Sequence, residues 1–174
     1  MKMKLLSLTA ALVWALASSA SAEVTTVLSH VHLCCQSCVK GVAAATGKVA
    51  GAKLACNKDA GSVAITAADN ATVQKAVDAL VGAGYFGTSS NPDIKVDAHN
   101  GAPDGSVKSL KVTGVHLCCG KCVKAVSEAL KSVKGVSGNT AEKGSETFEV
   151  TGDFNAKEVF AALELAGLTG KAGK

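Results

Sequence analysis

One decapeptide occurs twice in this chain, and it constrains everything else. Val31-His32-Leu33-Cys34-Cys35-Gln36-Ser37-Cys38-Val39-Lys40 returns 84 positions later as Val115-His116-Leu117-Cys118-Cys119-Gly120-Lys121-Cys122-Val123-Lys124. Eight of the ten residues are identical, and six of the seven cysteines lie in these two stretches. A chain that uses its thiols this way is built around two copies of one thiol site. Cys34 and Cys35 are adjacent and Cys38 is one helical turn further on, so pairing within a loop would staple almost no chain. Such clusters suit a metal site or a redox centre better than a disulfide framework.

Residues 1–22 read as a secretory signal peptide. Lys2 and Lys4 precede an apolar run from Leu5 to Ala17, and small residues follow to a cleavage point after Ala22. The run is too short to span a bilayer, and no second one follows. Export to the periplasm or outside the cell is therefore expected, with no membrane insertion of the mature chain. Cleavage removes Met1, Met3 and Trp14, which leaves no thioether ligand, and lowers the formal charge from +4 to +2. Every basic residue is a lysine. A weak, dispersed positive charge with few aromatics argues against nucleic acid as a partner.

Two matching modules follow. In the first, Val24 to Leu33 has strand-like content. Helical spacing starts at the cysteines, with Val39, Val42, Ala43, Thr46, Val49 and Ala50 on one face and Gly51 as the stop. Ala52–Cys56 and Ser62–Ala67 read as a hairpin around the turn 57–61. Asp69 or Asn70 caps a second helix carrying Val73, Ala76, Val77 and Leu80, and Tyr85–Thr88 reads as a last strand. The second module repeats the order. Leu110 and Val112 mark its first strand, and Val123, Val126, Leu130 and Val133 its first helix, ended by Gly135. Phe148 and Val150 mark the third strand, Val159, Phe160 and Leu163 the second helix, and Leu168 to about Lys171 a weak last strand.

The predicted fold is α+β, two tandem ferredoxin-like βαββαβ modules after a signal peptide. The divisions are 1–22 signal, 23–89 first thiol-loop domain, expected to bind metal if the loops are metal sites, 90–106 linker and 107–174 second domain of the same kind. The linker holds both mature prolines, Pro92 and Pro103, and its length leaves the facing of the domains open. The topology brings the cysteine loop, the 57–61 hairpin, Gly84-Tyr85 and Gly167-Leu168 to one end of a module. Tyr85 there is either a lid over the first loop or the opening residue of an ordinary strand.

With Cys-x-x-Cys set between strand one and helix one of a βαββαβ module, and Gly84-Tyr85 after helix two, both modules resemble the heavy-metal-associated (HMA) domain. That family includes copper chaperones, the amino-terminal modules of metal-pumping ATPases and the periplasmic mercury-binding protein. The resemblance implies a soft metal ion held by Cys35 and Cys38, and by Cys119 and Cys122, with a metal-transporting ATPase or an efflux system as partner. This sequence departs from the family loop Gly-Met-x-Cys-x-x-Cys. His32 and His116 stand at the Gly position, Leu33 and Leu117 at the Met position, and Cys34 and Cys118 at the variable one.

The added Cys34 and Cys118 are candidate third ligands. His32 and His116 are either further ligands or groups that orient a cysteine. Three sulfurs with a nitrogen suit Zn(II), Cd(II) or Hg(II) as well as Cu(I), at about one ion per module. Lys40 and Lys124 read as solvated lysines, His30 and His99 as exposed histidines, and Cys56 as a core cysteine on an edge strand. The leading function is a metal carrier, buffer or scavenger that performs no catalysis, with a role in metal transport or detoxification. The alternatives are a periplasmic thiol-disulfide oxidoreductase and an interaction module with oxidised cysteines. Valine after each motif excludes c-type haem attachment.

Overall fold

A computed structural model describes residues 22–173. Apart from Ala22, the signal segment lies outside the described residues. In the first module β1 (Val24–Ser29) leads into α1 (Gln36–Thr46), the hairpin β2 (Lys53–Asn57) and β3 (Ser62–Ala67), α2 (Asn70–Gly82) and β4 (Thr88–Ser89). The second has β5 (Ser106–Thr113), α3 (Gly120–Lys131), β6 (Val136–Asn139), β7 (Thr147–Asn155), α4 (Ala156–Leu165) and β8 (Lys171–Ala172). Each forms a four-stranded antiparallel sheet, ordered β2-β3-β1-β4 and β6-β7-β5-β8. That connectivity is the α+β, ferredoxin-like βαββαβ arrangement expected from the sequence.

The local reasons are legible. Cys38, Val42 and Thr46 recur every fourth residue and form the buried stripe of α1. Thr46 tolerates burial because its hydroxyl donates to the Val42 carbonyl at 2.8 Å. The helix ends at Gly47, four residues before the expected Gly51. Val49 is therefore only half-buried, and Ala43 and Ala50 are exposed. Asp69 caps α2 by accepting from the Thr72 N–H at 2.7 Å, an interaction worth about 1 kcal/mol. On β1 the inward face is Thr26 and Leu28, while Val27 points outward. Leu110 and Val112 face the core of the second module, as their alternation predicts.

Two expectations are corrected. First, the last strands begin later than predicted, at Thr88 and Lys171, because the residues before them pair across the modules. Tyr85 and Leu168 form an antiparallel bridge in which Phe86 N–H donates to Gly167 O at 3.1 Å and Thr169 N–H to Gly84 O at 3.0 Å. Second, the segment 90–106 is a strap packed on both modules, and it does not leave their facing open. Ile94 and Ala98 are buried. Gln74 exchanges two hydrogen bonds with the Lys95 backbone, and Asn100 donates to Glu164 and accepts from Ala172 N–H. The buried side chains of both modules form one continuous cluster that includes Val31, Leu33, Tyr85, Val115, Leu117 and Leu168.

Gly84 and Gly167 make the close approach possible. Both have left-handed φ, 86° and 75°. A Cβ at Gly84 would lie 2.6 Å from Gly114 O and His116 N, and one at Gly167 would overlap His30 O and crowd His32 N. Each glycine thus seats the backbone of one module against the strand end that leads into the other module's cysteine loop.

Candidate metal centre

The cysteine loops occupy the same end of each module. Val31 N–H donates to Gly61 O at 2.8 Å and ties the first loop to the β2–β3 hairpin. Gly144 N–H donates to Leu117 O at 2.7 Å and does the same in the second module. Cys35 and Cys119 stand at the N-caps of α1 and α3 with extended φ, and neither cap side chain accepts a backbone hydrogen bond. Two helix N-termini, with free N–H groups and no acidic residue in the first turn, therefore border the thiols. Both features favour negative sulfur.

The two loops meet at a single cluster. Cys34 Sγ lies 3.4 Å from Cys119 Sγ and 3.5 Å from Cys122 Sγ. The matching pairs in the opposite sense are Cys35–Cys118 at 3.6 Å and Cys38–Cys118 at 3.5 Å. Cys38 and Cys122 face each other at 4.0 Å. Within the loops, Cys34–Cys38 is 3.6 Å, Cys35–Cys38 3.7 Å, Cys118–Cys122 3.7 Å and Cys119–Cys122 3.8 Å. Cys34–Cys35, Cys35–Cys119 and Cys118–Cys119 lie within 4.8 Å. All six are free thiols.

The imidazoles reach across the same junction. His32 groups with Cys34 of its own loop and Cys122 of the other, their ligand atoms within 4.8 Å of one another. His116 stacks on the Tyr85 ring at a centroid distance of 4.6 Å, and it sits beside Cys38. The Nε2 atoms of His32 and His116 are buried with no hydrogen-bond partner among the described residues. A buried nitrogen of this kind lacks the partner that such groups normally have. Burial lowers the His32 pKa below its ordinary value, which keeps the ring neutral and its lone pair available.

Proton positions in the cluster follow from burial and mutual hydrogen bonding. Burial, with the hydrogen bond to Cys119, pushes Cys34 up to about 12. Cys118 is raised for the same reason, with Cys38 and Cys35 as its partners. Cys38 is lowered to about 2, first by the Cys122 thiol that donates to it and against its own desolvation. Cys122, which holds that proton, is raised. The two occupy matching positions, so the single thiolate belongs to the pair. Cys119 is desolvated, yet the backbone N–H groups of Cys122 and Lys121, which lie near its sulfur outside strict hydrogen-bond geometry, and the Cys34 thiol bring it down to about 6.

The other residues singled out in the sequence fall outside the cluster. Lys40 and Lys124 are exposed on their helices, and His30 and His99 are exposed. His30 holds a left-handed φ of 62°. Cys56 is half-buried on the edge strand β2, paired with Val63 and away from the loops. Tyr85 is neither a lid nor a strand opener. It is 1% exposed, lies between the modules against Gly41, and donates to Cys38 O at 2.9 Å. Periodicity cannot show that the loops converge. The available signal was Gly84 and Gly167 at matching places beside two near-identical loops.

No family model matches the chain, and no curated protein does. Among solved structures, the apo HMA domain of the copper chaperone for superoxide dismutase aligns with 51% of this chain and 86% of its own, at 25% identity and a TM-score of 0.35. The N-terminal soluble domains of Bacillus subtilis CopA align with 88% of this chain and 95% of theirs, at 13% identity and a TM-score of 0.33. The first two RRM domains of yeast Poly(U) Binding Protein align over 86% and 97%, at 14% identity and a TM-score of 0.25.

Proposed function

We propose that this chain is an exported soft-metal-binding protein, a carrier, buffer or scavenger, whose ligands are Cys34, Cys35, Cys38, Cys118, Cys119 and Cys122. The observation that carries the reading is the convergence of all six sulfurs at one junction between the modules. Soft thiolates select d10 ions such as Cu(I), Zn(II), Cd(II) or Hg(II). His32 and His116 each offer an imidazole nitrogen beside the sulfurs. Each module, 23–89 and 107–174, supplies one loop, and the strap 90–106 holds them together. The apolar run from Leu5 to Ala17 after Lys2 and Lys4, with small residues on to a cleavage point after Ala22, supports export to the periplasm or beyond. No helix among the described residues is long and apolar enough to cross a membrane. A loop at the module end suits ligand exchange with a metal-transporting ATPase or an efflux system. Tyr85, Phe148, Phe154 and Phe160 are buried and Phe86 is half-buried, so the described chain offers no row of exposed aromatic rings on which bases could stack.

The oxidoreductase alternative needs an accessible attacking thiol and one resolving partner. Cys38 and Cys122 are wholly buried, and every sulfur has several others close by. The test is anaerobic loading of the reduced mature protein with Cu(I), Zn(II) and Hg(II) in competition, with reactive thiols counted before and after. Retained metal with the six loop thiols protected and Cys56 still reactive is the expected outcome. No retained metal, together with reducible local disulfides and rapid thiol exchange, would establish the oxidoreductase instead.

A further inference from the structure

The pattern of close sulfur pairs restricts the metal more narrowly than the donor type does. Each sulfur has four near neighbours, and the near pairs trace the edges of an octahedron. In that figure Cys34 is opposite Cys118, Cys35 opposite Cys122 and Cys38 opposite Cys119. An octahedron of vertices contains triangles of mutual neighbours but no set of four. A tetrahedral all-sulfur site, which needs four mutually adjacent thiolates, is therefore not offered. Nine of the twelve edges run from 3.4 to 4.0 Å and the other three lie within 4.8 Å; for an edge of about 3.6 Å, an ion in a triangular face lies about 2.1 Å from three sulfurs, and an ion at the centre about 2.6 Å from six, against a metal–thiolate bond of about 2.3 Å. A slight rise above the face brings the first value to the bond length, whereas the central position is too long.

Resting on the metal-binding reading above, we infer that the two loops jointly hold one four-ion cluster of copper(I), each ion set over a triangle of three thiolates. The faces Cys34/Cys35/Cys119, Cys34/Cys38/Cys122, Cys35/Cys38/Cys118 and Cys118/Cys119/Cys122 share no edge, and each cysteine belongs to two of them. Every thiolate thus bridges two ions, and every face but one draws sulfurs unequally from both loops; the last lies wholly in the second loop. His32 stands beside the Cys34–Cys122 edge as a capping donor. The step is ligand exchange without redox change. Counted from six thiols, six protons leave, four monovalent ions enter, and the assembly carries two negative charges. The N-termini of α1 and α3 face that charge favourably. Four divalent ions on the same sulfurs would instead leave a positive cluster against two positive helix ends.

The test is native mass spectrometry of the whole mature protein during anaerobic titration with Cu(I), with emission recorded in parallel. The expected result is that the four-copper species appears while one-, two- and three-copper species stay sparse. The orange-red emission of water-shielded copper(I)–thiolate clusters should appear with it. Cys34→Ser, checked for folding by circular dichroism, removes a bridge and abolishes both signatures, and Cys56→Ser leaves them intact. Stepwise uptake ending at one or two dark ions overturns the cluster while metal binding stands. Two Zn(II) ions that resist Cu(I), with all six loop thiols protected, overturn it in favour of paired three-sulfur, one-nitrogen sites. Failure to retain any metal overturns both readings.

Discussion

Cys34 Sγ stands closer to Cys119 Sγ, at 3.4 Å, than Cys34 stands to Cys38 in its own loop or Cys119 to Cys122 in its own, at 3.6 and 3.8 Å. The nearest thiol partners thus come from different modules, 85 residues apart in sequence. The thiol cluster is a property of the interface, and the residues that build the interface control it as directly as the cysteines do.

Gly167→Ala tests that dependence. The left-handed backbone at Gly167 alone penalises a Cβ by roughly 1–2 kcal/mol, and the new atom would overlap His30 O. A fall in Tm of several degrees is expected, together with loss of most retained metal, although Gly167 is not a ligand. Thermal melting and metal analysis of the same sample check it.

Tyr85→Phe removes the hydroxyl that donates to Cys38 O. Cys38 O keeps its helical partner within α1, so the loss of one buried hydrogen bond costs about 0.5–1.5 kcal/mol, or roughly 1–6 °C in a chain of this size. The ring still packs on His116, so metal stoichiometry is unchanged and faster release is expected. Stopped-flow transfer to a chelator measures the rate.

The cysteine shifts give the metal-free protein a definite pH profile. Cys38 and Cys119 are held below their ordinary value near 9. Between the folded and ordinary pKa values the unfolded chain binds more protons at these sites, so their stabilisation is present above pH 9 and lost as pH falls. Cys34, Cys118 and Cys122 are raised. Above about pH 9 they ionise only in the unfolded chain, so stability falls as pH rises towards 12. Tm of the metal-free protein should therefore peak near pH 9 and decline on both sides. The loaded protein should lose the part of the alkaline decline that Cys34, Cys118 and Cys122 supply, because metal has displaced those protons, and keep the smaller part due to the buried Cys56 and Tyr85, whose pKa values are also raised. Metal affinity at neutral pH should fall with acidification, with proton release on loading detectable by calorimetry in two buffers.

Cys56→Ala should leave metal content, competition order and thiol protection of the loops unchanged, because Cys56 sits on the outer strand β2. A half-buried small side chain there implies a stability loss of about 1 kcal/mol. Any change in metal capacity would show that this thiol takes part after all.

Much of the fold was legible because it is local. Ser62–Ala67 is the strand its alternation predicts, Asp69 is the cap its position predicts, and Leu110 with Val112 set the core face of β5. Tertiary partners decide that Leu28 and not Val27 faces the core, since Thr26 on the same face turns inward and finds Ser89. The end of α1 was misplaced because Gly47, a poor helix former, stops it before Gly51 can. The candidate ligands were legible from the repeated decapeptide. Their convergence was not, because periodicity describes one element at a time, and the bridge between Tyr85 and Leu168 takes residues that read as ordinary strand. The strap 90–106 read as a spacer because its buried anchors, Ile94 and Ala98, are single apolar residues in a polar stretch.

The most direct test of a shared centre is to disable one loop and measure the other. The variant Cys118→Ser/Cys119→Ser/Cys122→Ser keeps the first loop whole, and its folding is verified by circular dichroism. One joint site predicts that metal retention against a competing chelator collapses far below half of the unmodified protein, with Cys34, Cys35 and Cys38 left reactive. Retention of half the metal, with those three thiols protected, would show two independent sites and contradict the account.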